Sequence, residues 1–306
     1  MFIMEDIKRY KHLNEYLKEK FGERTLKICI DGGFTCPNRD GKVGYGGCIY
    51  CSEKGSGELI NCKESIEEQV KYYFTTYRSK RANKFIVYFQ NFTNTYDTIE
   101  NLKKKYDSAL IDERIVGLEV GTRPDCINEE VAKLLASYKE KYYVCVELGL
   151  QTSNNKIGEI INRGYTSEQF TRTVEILNKY NIDVVAHIMV GLPEETKKDI
   201  EDTVDFLNNH KIQGVKIHST YVVENTVLAD MYRNGQYKAL DLEDYIETLL
   251  DIITHLNPNF IIHRISGDAP KDILVAPYWN KHKMWIIHGF EKRLIARDLW
   301  QGKFYK

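Results

Sequence analysis

Six short β-type runs, separated by five stretches of which each contains a helical pattern, fill residues 26–225 of this 306-residue chain. The runs fall at 26–31, 84–89, 115–120, 142–148, 182–190 and 214–218. The stretches between them have helical spacing at 65–79, 98–110, 128–141, 167–180 and 196–209, with Ser65, Asn128 and Ser167 placed to cap three of them. Strands of five to nine residues alternating with helices of about a dozen mean βα units and a parallel sheet. Six such units predict an α/β fold of the partial (β/α)6 barrel type. A helix over 7–21 precedes the barrel. A weaker α/β pattern follows it, with helices at 241–256 and 281–299 and an extra strand at 260–264. The expected division is 1–25, 26–225 and 226–306.

The stretch between the first run and the first long helix holds the unusual chemistry. Residues 31–51 contain three of the seven cysteines and six of the 20 glycines. Cys48 and Cys51 form a Cys-x-x-Cys pair, and Cys36 lies eleven intervening residues upstream. Gly41, Gly44, Gly46 and Gly47 can take positive φ and fold Cys36 back onto the pair. Three thiolates suit a four-iron cluster with one iron left without a protein ligand. They also suit a zinc site that takes a fourth ligand from elsewhere, for which Cys62 is available. Seven is an odd count and no export signal is read, so a disulfide framework is not expected. Net charge is −1, no apolar run reaches membrane-spanning length, and a reduced, cytoplasmic protein is expected.

In barrels of βα units the active site lies at the C-terminal ends of the strands. The polar and glycine-containing residues here fall at those ends: Cys36, Gln90-Asn91, Gly121-Thr-Arg-Pro-Asp125, Glu147 with Gly149-Leu-Gln151, Gly191-Leu-Pro-Glu-Glu-Thr196 and His218-Ser-Thr-Tyr221. Together they describe a ligand-filled barrel mouth with a metal centre at its rim.

This combination resembles the radical S-adenosylmethionine (radical SAM) superfamily. Tyr50 before the last cysteine matches the family's Cys-x-aromatic-Cys ending. The blocks at Thr122-Arg-Pro-Asp125, Glu147-Leu-Gly-Leu-Gln151, Asn162-Arg-Gly-Tyr165 and Gly191-Leu-Pro-Glu-Glu-Thr196 look like those of its coproporphyrinogen-dehydrogenase and elongator-type branches. Asp31-Gly-Gly-Phe-Thr-Cys36, Gly55-Ser-Gly57, His263-Arg-Ile-Ser-Gly-Asp268 and Arg297-Asp-Leu-Trp-Gln-Gly302 resemble the YhcC/YtqA-type subfamily. The spacing of eleven then two departs from the superfamily's commoner three then two, but it is usual in this subfamily.

The resemblance implies one 4Fe-4S cluster on Cys36, Cys48 and Cys51, and S-adenosylmethionine on its open iron. It implies cofactor contacts from the Tyr50 carbonyl to the adenine amino group and from Gln90 and Asn91 to the methionine amino group. Glu147 and Gln151 are implied at the ribose, Arg163 at the methionine carboxylate, and Gly191 and Leu192 at the adenine edge. Arg123, His187, His263, Arg264 and Asp268 are candidate substrate residues; a buried structural histidine and an Arg-Asp pair are the plain alternatives for the last four. Cys29 and Cys145, within apolar runs, read as core. A flavodoxin- or ferredoxin-type electron donor is implied as partner.

Two segments are basic and aromatic. Between Gln69 and Tyr96 no acid occurs, while Lys71, Arg78, Lys80, Arg81 and Lys84 interleave with Tyr72, Tyr73, Phe74 and Tyr77. Between Lys281 and Lys306 seven Lys/Arg face two acids, with Trp285, Trp300 and Tyr305 among them. This is the pattern of an RNA-binding face, or of a solvated helix. Subfamily resemblance further implies conversion of a carboxymethylaminomethyl group on a tRNA wobble uridine to aminomethyl. The chain stops at residue 306, so the elongator enzyme's acetyltransferase domain is not expected. The other readings are a radical SAM enzyme for a small metabolite or a protein side chain, and a non-catalytic zinc protein.

Overall fold

A computed structural model describes residues 9–55 and 64–306. In chain order the elements are α1 (Leu13–Phe21), β1 (Thr25–Ile30), α2 (Ile66–Thr75), β2 (Lys84–Phe89), α3 (Ile99–Asp107), β3 (Ile115–Thr122), α4 (Glu129–Ser137), β4 (Tyr143–Gln151), α5 (Asn155–Ile160), α6 (Ser167–Lys179), β5 (Asp183–Val190), α7 (Lys197–Asn208) and β6 (Gly214–Ser219). There follow β7 (Val222–Val223), α8 (Val227–Arg233), α9 (Leu242–His255), β8 (Ile261–Arg264), β9 (Leu274–Ala276) and α10 (Lys283–Ala296). Seven strands form one parallel sheet in the order β1-β2-β3-β4-β5-β6-β8. The architecture is the expected partial barrel. The extra strand at 260–264 proves to be its seventh member, paired parallel to β6.

Alternation along the strands sets the two faces. Ile28 and Ile30, Phe85, Val87 and Phe89, Leu118 and Val120, Val144, Val146, Leu148 and Leu150, Val184, Ala186, Ile188 and Val190, and Val215 and Ile217 belong to one buried apolar cluster with the surrounding helices. The intervening positions face the concave side and include Lys27, Cys29, Tyr88, Glu119, Cys145, Glu147, Gln151, His187, Lys216, His218 and His263. The period of two therefore separates a helix-packed exterior from a polar lumen. Cys145 is fully buried, as its reading as a core residue expects, whereas Cys29 is exposed on the lumen side, which corrects that reading for Cys29. Cys29 lines the main cavity.

The helices start where their caps predict. Ser65 closes a capping box with Glu68, and Asn128 accepts the Val131 N–H. Thr166, not Ser167, caps α6, accepting the Gln169 N–H. The helix expected over 65–79 ends at Thr75 and passes into a 3-10 turn at Tyr77–Arg81. The first part of the helix expected over 7–21 lies outside the described residues, as does Cys62. At the free edge of β8 the Ile262 N–H donates to the Lys11 carbonyl at 2.7 Å, and α1 lies against both edge strands.

Candidate active site

The cysteine loop leaves β1 at Asp31, which is clamped on four sides. Its N–H and carbonyl pair with the Gln69 amide of α2 at 2.9 Å each. Its carboxylate accepts the Gly33 N–H at 2.8 Å and the Asn91 amide at 2.7 Å. The Cys51 N–H donates to the Cys48 carbonyl at 2.9 Å, the tight turn that a Cys-x-x-Cys pair requires. Gly46 and Gly47 have φ of 78° and 81°, the left-handed conformation that glycine takes without strain. Asn38 then locks the loop. Its amide donates to the Asn162 carbonyl at 2.6 Å and reaches Cys48 Sγ at 3.9 Å, while the Asn162 amide donates back to the Gly47 carbonyl at 2.7 Å. Arg39 donates to the Cys51 carbonyl at 3.1 Å and also to the Ser52 carbonyl. Asn38 and Arg39 were not legible as positioning residues, since neither belongs to the cysteine spacing.

Cys36, Cys48 and Cys51 line one cavity of about 730 Å³ that opens at the barrel mouth. That volume is in the range of sites that enclose a cofactor-sized ligand. Tyr50, Gln90, Arg123, Glu147, Gln151, His187, Arg264 and Asp268, all singled out from the sequence, line it too. The Gln151 side-chain Oε1 accepts the Tyr165 hydroxyl at 2.6 Å. The Tyr165 ring lies under the guanidinium groups of Arg123 and Arg163, at 4.7 and 4.8 Å. A Cβ at Gly149 would sit 2.8 Å from both the Gln151 amide nitrogen and the Tyr165 hydroxyl, so this packing needs glycine there.

Asn91, Arg163, Gly191, Leu192 and His263 do not line the cavity. Arg163 is fully buried. Its guanidinium donates to the carbonyls of Tyr165, Leu150 and Thr152 and to the Asn155 side chain, so it fastens the turn behind β4 rather than meeting a ligand carboxylate. The Gly191 and Leu192 N–H groups donate to Glu195 at 2.7 and 3.2 Å. Leu192 packs with Ile49, Ile157 and Ile161 behind the cysteine turn. Asn91 is engaged by Asp31.

At the floor of the lumen, four charged side chains from four strands meet. Lys27 pairs with Glu119 at 2.5 Å and Glu147 at 3.1 Å, and Lys216 pairs with Glu147 at 2.5 Å. Tyr88 donates its hydroxyl to Glu147. Burial works to raise the Glu147 carboxyl, but Lys216 and Lys27 hold it well below the ordinary range. Glu119 is instead pushed up to about 8, first by burial. Glu147 was expected at the ribose; its carboxylate is engaged by these partners. His263 lies beside the floor, its ring nitrogen 3.9 Å from both carboxylates. Lys27, Glu119, Lys216 and Tyr88 were missed from the sequence.

One titration near the mouth has a measurable consequence. Burial pushes the Glu195 carboxyl up to about 8, against the pull of its two backbone N–H donors. An acid whose folded pKa exceeds its unfolded one contributes stability that is complete below the unfolded value, here about 4.5, and lost as pH rises through the folded one. Glu195→Gln keeps the acceptor oxygen and removes the proton uptake. The melting temperature of the variant relative to the wild type should therefore climb between pH 5 and pH 8. A difference independent of pH would contradict this.

The two basic segments fare differently. Exposed Tyr72 and Arg78 line the cavity mouth, and Arg78, Lys80 and Arg81 make no ion pair among the described residues. In the second segment Arg293 pairs with Glu243, Arg297 with Glu247 at 2.6 Å, and Lys283 with Asp268 at 3.0 Å. Its apparent excess of positive charge is largely answered by acids on α9 and behind β8.

Comparison with known proteins decides the family. The profile of the Radical SAM superfamily matches residues 36–207, and that of the Radical SAM C-terminal domain matches residues 212–296. The chain belongs to the radical SAM superfamily. It is 36% identical to YtqA of Bacillus subtilis over 301 residues, covering 98% of this chain and 94% of that one. It is 30% identical over 187 residues to the tRNA uridine(34) acetyltransferase of Methanocaldococcus jannaschii, covering 58% of this chain and 32% of the relative. Among solved structures the archaeal Elp3 of Methanocaldococcus infernus superposes with a TM-score of 0.67 at 18% identity, covering 90% of this chain and 64% of that one. At that identity the likeness shows the fold.

Radical SAM enzymes use a 4Fe-4S cluster and S-adenosylmethionine, and they need a reductant. The residues present fit the cluster better than zinc. Among the described residues, the one triad of potential ligands whose atoms all lie within 4.8 Å of one another is Glu119, Glu147 and His263, not the three cysteines. A tetrahedral zinc site with Zn–S bonds of about 2.3 Å needs sulfurs about 3.8 Å apart. A cluster spans more, and the cysteine loop brings Cys36, Cys48 and Cys51 to the cavity for it. No helix among the described residues is long and apolar enough to cross a membrane.

Proposed function

We propose that this radical SAM enzyme converts the carboxymethylaminomethyl group on carbon 5 of a tRNA wobble uridine to aminomethyl. The observation that carries the reading is the cavity mouth. Exposed Tyr72 and Arg78, with Lys80 and Arg81 beside them, border the cavity that the cluster cysteines line. An aromatic ring among unanswered cations is what a splayed anticodon base and its flanking phosphates require. The likeness to a tRNA uridine(34) acetyltransferase over 187 residues supports the same substrate position, although the chain spans about a third of that relative.

Cys36, Cys48 and Cys51 would hold the cluster and the cavity behind them would hold S-adenosylmethionine, which together would supply hydrogen-abstracting 5′-deoxyadenosyl radical chemistry. The chain's own groups position and enclose. Tyr50 would offer its carbonyl to the adenine, Gln90 would meet the methionine amino group, and Gln151, oriented by Tyr165, would meet the ribose. The carbon between the amine nitrogen and the carboxylate is the expected hydrogen donor, because the nitrogen lone pair stabilises the radical formed there. Loss of a proton and of one further electron, returned to the oxidised cluster, would give the imine. Water would cleave its carbon–nitrogen bond to leave the aminomethyl group and release the two carbons as glyoxylate. A flavodoxin- or ferredoxin-type protein is the proposed electron donor.

The test is isotopic. Reduced, reconstituted enzyme is given S-adenosylmethionine and tRNA deuterated at that carbon. The reading expects 5′-deoxyadenosine one mass unit heavier and aminomethyluridine in the tRNA digest. Unlabelled 5′-deoxyadenosine with unchanged tRNA would leave the small-molecule reading in its place. Binding should also weaken steeply with salt. Replacing Arg78, Lys80 and Arg81 together by alanine should lower the slope of log affinity against log salt by about two to three, at ~0.7–0.9 per phosphate contact. An unaltered slope would remove this face from the interface.

A further inference from the structure

The cavity wall built from β5, β6, β8 and the turn behind β8 carries charge that the floor network does not answer. Asp268 is shared by two cations. Arg264 Nη2 lies 2.9 Å from one of its oxygens, and Lys283 Nζ lies 3.0 Å from the other. Burial works to raise the Asp268 carboxyl, but Arg264 and Lys283 hold it below the ordinary range, so it is ionised. One carboxylate between two cations leaves one positive charge. The three side chains are 31%, 42% and 39% exposed, so they are within reach of a ligand. Arg264 and Asp268 both line the cavity that holds the cluster cysteines.

His187 and His218 line the same wall, with ring centroids 4.1 Å apart. The Nε2 of each is buried without a hydrogen-bond partner. Burial, reinforced by Lys216, lowers His187 to about 3, and burial likewise holds His218 well below its ordinary value. Both imidazoles are neutral at physiological pH. The turn is pressed against them: a Cβ at Gly267 would come within 3.0 Å of His218 Nδ1 and 3.1 Å of the Tyr221 ring. Glycine at 267 thus allows Asp268 and the imidazole pair to share one corner of the cavity.

We propose that Arg264 and Lys283, bridged by Asp268, form a subsite for the carboxylate end of an N-carboxymethyl amine, with the neutral imidazoles of His187 and His218 facing its amine. A carboxylate between a guanidinium and an ammonium gains charge-assisted hydrogen bonds. A neutral imidazole accepts an N–H without placing a second positive charge beside the nitrogen. The identity of the substrate rests on the wobble-uridine reading; the requirement for a carboxylate rests on this corner alone. The same two cations could instead meet a backbone phosphate of the RNA, and the experiment separates the two sources.

Equilibrium binding is measured with anaerobic, cluster-loaded enzyme and two tRNAs, one carrying carboxymethylaminomethyluridine and one aminomethyluridine. Arg264→Gln and Lys283→Gln should each weaken the carboxylated tRNA by roughly tenfold or more, the scale of one hydrogen bond to a charged group. The aminomethyl tRNA should change by less than about twofold. The comparison is internal to each variant, so a general loss of folding cannot imitate it, and Lys283 lies on a separate helix. Equal losses on both tRNAs would mean a phosphate contact and overturn the proposal, as would no loss on either. If the wild type binds neither tRNA, the wobble-uridine reading fails, and the subsite is decided by saturation-transfer NMR with N-methylglycine. A wild-type signal abolished by Arg264→Gln upholds the subsite; no wild-type signal overturns it.

Discussion

Cys48→Ala abolishes both the visible iron-sulfur absorption and the formation of 5′-deoxyadenosine, and Cys36→Ala and Cys51→Ala do the same. That is the largest effect the site predicts. On the proposed assignment each cysteine supplies one of three protein ligands, and the loop is held so that all three line one cavity. Asn38 and Asn162 clamp the Gly47 turn reciprocally, and Arg39 holds the chain where it leaves Cys51. Loss of one thiolate leaves two, too few for a cluster that already has one iron without a protein ligand. Cys29→Ala and Cys62→Ala should leave iron content unchanged. Iron and absorption retained in Cys36→Ala would show that the long gap of eleven residues does not define the ligand set.

Arg163→Met is the most destabilising single substitution expected. The arginine is fully buried, and its guanidinium serves the carbonyls of Leu150, Thr152 and Tyr165 and the Asn155 side chain. Methionine fills similar volume but strands those acceptors in a place without water. Removing one partner of a buried charged network costs on the order of 3–5 kcal/mol. For a chain of this size that is a fall in melting temperature of roughly 10 °C. The resemblance placed Arg163 at the methionine carboxylate, where its loss would weaken cofactor binding without loss of iron. Calorimetry together with cofactor titration separates the two. A variant that melts like the wild type and binds S-adenosylmethionine more weakly would return Arg163 to the cofactor site.

The sheet was legible because its apolar strand positions recur with period two and its helices begin at recognisable caps. The run at 84–89 matches β2 to the residue. The seventh strand was seen but not placed, since four residues, Ile261–Arg264, carry no signal for which neighbour they pair with. That Cys36, Cys48 and Cys51 share one cavity was legible from spacing, and the strand ends from their glycines and polar residues. What spacing cannot show is which way a polar side chain turns. Arg163 and Gln151 sit in equally family-like blocks, yet one is fully engaged by carbonyls and the other lines the cavity. The floor network did leave a trace. Lys27, Glu119, Glu147, Lys216 and His263 each interrupt an apolar run at the parity opposite to its buried aliphatic residues, as a polar lumen requires. Read as interruptions of apolar strands, they pass unnoticed; read for parity, they mark the concave face. The excess charge of the last 26 residues misled for a related reason, because Glu243 and Glu247, which answer Arg293 and Arg297, lie about fifty residues away in sequence.

The most direct test of the central claim is nucleoside mass spectrometry of tRNA from a strain lacking the gene, compared with its parent. The account predicts accumulation of carboxymethylaminomethyl wobble uridine and loss of the aminomethyl form, both restored by the wild-type gene and neither by Cys48→Ala. An unchanged wobble-uridine profile, with no carboxymethylaminomethyl precursor accumulated, would contradict it.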